Sequence, residues 1–273
     1  MPEVEELSRP PRLGPLYRRV LLSRHAATQA PDTTLVLRDL RVDRGHLARY
    51  QRMCGYRLDD ALPPAYPHVL AFPLALALMA RNDFPFRVVG LVHLANRIEL
   101  LRPVDAAERL ELTVRAADLR THPRGRTVDI RATASVGDEV VWRGVSTYLR
   151  TEKRGSSSAD AAPRDGIRWT IGRDIGTAYA RISGDRNPIH TSRLAARAFG
   201  YPGPIAHGMW TAARCLAALE GRLPEAYTVE VAFRRPIVLP ARVCFAGTDE
   251  WSVTDARTGT VHLTGQVTPA GAR

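Results

Sequence analysis

The stretch His68-Val69-Leu70-Ala71-Phe72-Pro73-Leu74-Ala75-Leu76-Ala77-Leu78-Met79 constrains the fold more than any other part of the chain. A helix apolar on nearly every side must be surrounded by protein. The apolar run from Val69 to Ala80 contains Pro73 and is well short of the roughly 20 residues needed to cross a bilayer. It predicts a buried core helix and no membrane span. Four β-rich runs come after it: Leu91 to Leu101, Arg109 to Leu119, Thr127 to Val136 and Val140 to Leu149. Hairpin signals stand at Thr121-His122-Pro123-Arg124-Gly125 and at Val136-Gly137-Asp138-Glu139-Val140. One buried helix wrapped by an antiparallel sheet is the expectation.

Ahead of that helix, residues 1 to about 34 carry Pro2, Pro10, Pro11, Pro15 and Pro31 among arginines and read as an arm over the first domain. Leu16 to Leu22 is a short amphipathic candidate within it. Leu35-Val36-Leu37 reads as a strand, and Gly45 to Met53 as a helix with Leu47, Tyr50 and Cys54 near one face, ended by Gly55. The connector Leu62-Pro63-Pro64-Ala65-Tyr66-Pro67 leads into the apolar helix.

From Thr151 to Gly166 large apolar residues disappear, which marks a linker. The order of elements then repeats. A helix carrying Ile175, Ala178, Tyr179 and Ile182 at helical spacing ends at Ser183-Gly184, as the first half's helix ends at Cys54-Gly55. A second connector, Gly200 to Pro204, precedes a second apolar helix from about His207 to Leu219. Strands are expected at Tyr227 to Phe233, Val243 to Thr248, Glu250 to Val253 and Thr260 to Val267, with a turn at Ala256 to Gly259. The fold class is α+β, a tandem pair of similar units: residues 1–150, a linker at 151–166, and residues 167–273.

The residues just past the first helix of each half set the halves apart. The second half has Gly184-Asp185-Arg186-Asn187-Pro188-Ile189-His190, the first Gly55-Tyr56-Arg57-Leu58-Asp59-Asp60-Ala61. Asp185 and His190 cannot share a helix face, because Pro188 removes a backbone donor and pushes Asn187 out of the helical region. They converge from a turn. One half is expected to be catalytic and the other a degenerate partner, with one site per chain.

Tyr179 to His190, with Phe199-Gly200 and Ile205-Ala206-His207-Gly208-Met209 downstream, resembles the hydratase 2 motif of the MaoC-like family of (R)-specific enoyl-thioester hydratases and 3-hydroxyacyl-thioester dehydratases. Tyr66 to Leu70 and Asp83-Phe84-Pro85-Phe86 are similar to the longer bacterial members, in which two hot dog folds are fused. The resemblance implies two tandem hot dog domains forming an intrachain pseudo-dimer, with Asp185 and His190 as the catalytic pair. It also implies that Gly208 offers a backbone donor to the thioester carbonyl. Adding water across a conjugated 2,3-double bond needs a held, deprotonated water at C3, a proton at C2 and stabilisation of enolate charge. A carboxylate and an imidazole meet the first two needs, and N–H groups at a helix N-terminus meet the third. Asn187 reads as a turn-maker ordering the loop beside the substrate, and His207 as a helix-entry residue at the same place. Ser183 lacks a nucleophile-elbow context. Pro236 to Arg242 departs from the family, with Ala241 and Arg242 where a Pro-Gly-Asp or Pro-Gly-Glu turn is common.

The first half is expected to shape the acyl tunnel, with Ala71, Pro73, Ala75 and Ala77 leaving room for a longer chain. The implied substrate is an acyl-CoA or acyl carrier protein thioester. No cofactor or metal is implied, since metal motifs and phosphate loops are missing. The net charge of +11, from 39 basic and 28 acidic residues, comes from scattered arginines with Lys153 as the sole lysine. Without runs or interleaved aromatics it does not predict nucleic-acid binding; Arg186 and Arg235 are candidates for carrier phosphates. Cys54, Cys215 and Cys244 form an odd set without metal spacing, and no signal-peptide core is evident, both consistent with a cytoplasmic protein. A monomeric pseudo-dimer or a homodimer is expected. The alternatives are a thioester hydrolase on the same fold and a non-catalytic acyl-thioester-binding module.

Overall fold

A computed structural model describes residues 3–22, 27–152 and 165–271. In the first half it places β1 (Glu3–Leu7), α1 (Leu13–Leu22), β2 (Thr33–Arg41), α2 (Arg44–Cys54), α3 (Tyr66–Met79), β3 (Leu91–Leu100), β4 (Arg109–His122), β5 (Gly125–Val136) and β6 (Glu139–Thr151). The second half contains β7 (Ile167–Ile171), α4 (Ile175–Ser183), α5 (Pro188–Thr191), α6 (Arg193–Ala198), α7 (Gly208–Ala218), β8 (Tyr227–Phe233), β9 (Ala241–Gly247), β10 (Glu250–Asp255) and β11 (Val261–Pro269). Of the linker at Thr151 to Gly166, residues 153–164 lie outside the described residues.

These strands form one sheet in the order β1-β2-β4-β5-β6-β3-β8-β11-β10-β9-β7. Read inward from each edge, and setting β1 aside, both halves give the same permutation of their own strands: first, third, fourth, fifth, second. The repeat inferred from element order is therefore present in the topology. The halves meet where β3 pairs antiparallel with β8, from Ala95 opposite Ala232 to Leu100 opposite Tyr227. The chain is a double hot dog, each unit an antiparallel sheet folded around its own helix.

Sequence dictates this closure directly. Helix α3 buries Tyr66, Leu74, Leu76 and Leu78 almost completely, and α7 does the same with Ala213, Cys215 and Leu216. Strand residues Leu110, Leu112, Val141 and Trp142 of the first half, and Val229, Val243 and Val253 of the second, belong to the same continuous core. The Trp142 indole satisfies its buried N–H on the Pro64 carbonyl at 2.8 Å, tying β6 to the entrance of α3. Leaving that donor without a partner would cost about 1–3 kcal/mol.

Two regions differ from the expectation. Residues 3–22 are more than an arm. β1 pairs in parallel with β2, adding an edge strand, and α1 packs Leu13, Leu16 and Tyr17 around Val20 and against Phe72 and Leu76 of α3. The amphipathic candidate at Leu16 to Leu22 is the C-terminal part of α1, whereas β1, Glu-Val-Glu-Glu-Leu, carries the charges common on an edge strand and little apolar pattern to reveal it. The second addition is β7, at the opposite edge beside β9. Only Ile171 of this strand is fully buried, so its hydrophobic signal is weak.

Candidate active site

The loop after α4 is built by local chemistry. Gly184 ends the helix with φ of 77°, a left-handed conformation that glycine adopts without penalty. The Asp185 carboxylate accepts the Asn187 N–H at 3.1 Å, and the Asn187 side-chain oxygen accepts the Ile189 N–H as N-cap of α5. Pro188 occupies the first turn, where its missing donor costs nothing. This short turn of helix is what the sequence could not specify, and it aims His190 back toward Asp185. Gly176 of α4 lies against the His190 carbonyl, leaving no room for a Cβ there.

Asp185, His190 and His207 converge: a carboxylate oxygen and one ring nitrogen from each imidazole lie within 4.8 Å of one another. His190 Nδ1 bonds the Ile205 carbonyl at 2.8 Å. A carbonyl only accepts, so Nδ1 carries the proton and Nε2 of the neutral ring carries the lone pair. His207 Nε2 likewise donates to the Asp185 carbonyl at 3.0 Å, while the two rings stack with centroids 3.6 Å apart. The His190 and His207 residues are 8% and 3% exposed, whereas 32% of the Asp185 side chain remains open.

Burial pushes the Asp185 carboxyl up, but His207, His190 and the Asn187 N–H together hold it below its ordinary value. Burial lowers His190, with Asp185 and the Ile205 carbonyl opposing it. His207 is lowered to about 4, chiefly by burial and then by the neighbouring His190. At neutral pH the cluster therefore holds one carboxylate and two neutral imidazoles. The three residues are also the group among the described residues that could ligate a metal. Each ring spends one nitrogen as a donor to a carbonyl, His190 Nδ1 to Ile205 and His207 Nε2 to Asp185, which leaves one acceptor nitrogen apiece.

Helix α7 points its N-terminus into the same space. No side chain caps it, and His207 precedes it in extended backbone, so the N–H groups of its first turn are available to a ligand. A Cβ on Gly208 would stand 2.7 and 2.9 Å from the Phe233 ring. Glycine thus permits a close approach between helix and strand. The segment bearing the unusual Ala241 and Arg242 contributes Ile237 and Leu239, which brace the approach to α7 through Ala206 N–H to Ile237 O and Leu239 N–H to Pro204 O.

A cavity of about 190 Å³ is lined by Asp185, Asn187, His190, His207, Gly208 and Arg235 from the second half. From the first half come His68, Val69, Phe72, His93 and Tyr148. The structure thus brings Asp185, Asn187, His190, His207 and Gly208 to one wall; of the two arginines considered for carrier phosphates, Arg235 lines the cavity and Arg186 does not. Ala71, Pro73, Ala75 and Ala77 are not among the lining residues; His68, Val69 and Phe72 are the α3 side chains that are. His68 and His93 escape sequence reasoning, since each is a lone histidine in an apolar run. Burial lowers their pKa to about 4 and about 3, respectively.

Comparison with known proteins bears on the whole chain. The MaoC like domain family matches residues 157–263. 3-Hydroxyacyl-thioester dehydratase X of Mycobacterium tuberculosis is 35% identical over 88% of this chain and 90% of its own length. Enoyl-CoA hydratase ChsH3 of the same organism is 28% identical over 66% of this chain and 68% of its own. A crystal structure of HtdX from M. tuberculosis superimposes with a TM-score of 0.78 at 36% identity, covering 86% of this chain and 99% of that one. The chain belongs to the MaoC-like family.

Proposed function

We propose that this chain is a hydro-lyase that reversibly hydrates trans-2-enoyl thioesters to (3R)-hydroxyacyl thioesters, carried on coenzyme A or acyl carrier protein. The observation that carries the reading is the pairing of an ionised Asp185 with a His190 whose tautomer is fixed by Ile205. Their acceptor atoms lie within the span that one water bridges with two hydrogen bonds of about 2.8 Å. Such a water donates one hydrogen to the Asp185 carboxylate and the other to His190 Nε2, leaving an oxygen lone pair for C3. As the C3–O bond forms, one water proton passes to the pair and the π electrons move through C2 toward the thioester oxygen. The uncapped N-terminus of α7 at Gly208 stabilises that oxygen. The pair then returns the proton to C2, completing addition of H and OH. Dehydration takes the same path backwards, and the pair titrates as a unit throughout.

His207 holds the Asp185 backbone and stacks on His190, and Asn187 fixes the turn between them. In this reading residues 1–150 form a degenerate unit that walls the acyl cavity, and residues 167–273 carry the chemistry. The names of the two mycobacterial relatives support the reaction class. Three buried free thiols, Cys54, Cys215 and Cys244, accord with a cytoplasmic setting, and no described helix is long and apolar enough to cross a membrane. The test is hydration of crotonyl-CoA followed by loss of enoyl absorbance, with chiral analysis of the alcohol. The 3R product is expected; formation of the 3S alcohol, or inertness toward every enoyl thioester offered, sinks the reading.

A further inference from the structure

Helix α1 reaches the candidate active site from the far end of the chain. The Tyr17 hydroxyl donates to the Gly184 carbonyl at 2.8 Å and accepts the Arg186 N–H at 2.7 Å. Those two backbone groups flank Asp185 on either side, so one phenol brackets the residue that bears the carboxylate. The Leu13 side chain presses on Gly184, where a Cβ would stand 2.5 Å from its Cδ1. The helix also packs through Leu13, Leu16 and Tyr17 on Phe72 and Leu76 of α3, and Phe72 lines the cavity.

Local chemistry alone does not hold this backbone. Within the loop, the Asp185 N–H donates to Ser183 Oγ at 3.2 Å, and the Asn187 N–H is taken by the Asp185 carboxylate. The Gly184 carbonyl and the Arg186 N–H, one on each side, turn instead to Tyr17. Across the loop, His207 holds the Asp185 carbonyl. Among the described residues, those that reach the backbone of residues 184–186 from outside α4 and the loop are therefore Tyr17, with two bonds, and His207, with one. A hydroxyl that donates and accepts at once is needed, a role that phenylalanine cannot fill.

We propose that Tyr17 is a positioning residue for the hydration reaction, in which α1 clamps the Asp185 loop against the wall of the acyl cavity. This rests on the hydratase reading. It makes the segment carrying α1 part of the working site, and it couples the α3 wall that meets the acyl chain to the loop that meets the water. The clamp acts through Asp185 and touches no reacting atom.

The experiment compares Tyr17→Phe with Val253→Ala, which cuts into the buried core at β10 and leaves α1 and the hydroxyl in place. Hydrogen–deuterium exchange over residues 184–190 reads the clamp without any substrate. Exchange in Tyr17→Phe is expected to accelerate roughly 10-fold at the Arg186 amide, which loses its acceptor. With crotonyl-CoA, kcat should fall roughly 10-fold while KM stays within about twofold, since a misplaced catalytic group costs rate rather than binding. Added to Asp185→Asn and measured by single turnover, Tyr17→Phe should cost nothing further. Val253→Ala should lower Tm but retain kcat. Unchanged exchange in Tyr17→Phe overturns the clamp, and a full loss that persists on the Asp185→Asn background overturns its action through Asp185. A wild-type chain inert toward enoyl thioesters defeats the hydratase reading alone; the exchange comparison still decides whether Tyr17 holds the loop.

Discussion

The two halves place the same backbone around different side chains. Helix α2 ends on Gly55 with φ of 83° and α4 on Gly184 with φ of 77°, and each leads through a connector into a central helix. Past Gly184 comes Asp185, facing a cavity; past Gly55 comes Tyr56, buried with its ring 6.4 Å from Tyr50. Tyr50 in turn lies 5.1 Å from Tyr66 at the start of α3. Where α7 opens on Gly208, α3 opens on Tyr66 and Pro67, and proline brings no N–H. Tyr56 and Tyr66 thus stand in the chain where the second half has Asp185 and the entrance of α7. The first half also supports the second. His46 Nδ1 accepts from the Tyr66 hydroxyl at 2.8 Å, and its Nε2 donates to Ile182 O at 2.9 Å, capping the end of α4. In exchange, Trp210 and Arg214 of α7 donate to the Met53 and Cys54 carbonyls at the end of α2.

The largest test of this asymmetry is to remove chemistry from one side and its counterpart from the other. Asp185→Asn and His190→Gln should each lower kcat by roughly 10²–10⁴-fold, while Tyr56→Phe leaves turnover unchanged; crotonyl-CoA hydration measures all three. Equal losses would break the comparison. Next comes the helix entrance. Gly208→Ala should reduce kcat by roughly 10²-fold, about the worth of one oxyanion donor, because its Cβ must displace the Phe233 ring; Pro67→Ala should not affect kcat.

A third expectation concerns acid. His93 and His207, one from each half, have folded pKa values of about 3 and about 4, against an ordinary value of 6.5. Between 6.5 and those values the unfolded chain binds more protons, so stability falls as pH falls through that window. Each imidazole contributes a slope of about 1.4 kcal/mol per pH unit. Urea titrations from pH 7 to pH 4.5 should show the loss, and His207→Asn should remove one imidazole's share of the slope. The smallest effect is Tyr66→Phe, which deletes the hydroxyl facing His46. It should cost about 1 kcal/mol in stability and leave kcat within about twofold, read by urea melts and the same assay.

Most of the frame is legible in the sequence because apolar periodicity survives in single residues. Val69 to Met79 can only be a buried helix, and Leu110, Leu112 and Val114 alternate as a half-buried strand must. The loop from Gly184 to His190 is legible for a different reason: proline and glycine restrict φ and ψ wherever they stand. Edge elements are hidden, because β1 and β7 bury little and so carry little pattern. Long-range partners are hidden altogether. Nothing about Tyr17 in sequence points 167 residues ahead to Gly184, and His68 and His93 become cavity walls only when α3 and β3 close against the second half.

The seam between β3 and β8 bears on the protein's history. In a symmetric homodimer every substitution appears twice, so a mutation that puts a tyrosine in one unit puts it in both. Covalent linkage across a shared sheet abolishes that constraint, and it keeps the two units at a fixed high effective concentration whatever the expression level. A duplicated gene joined in this way is free to alter one of its two units while selection guards the other.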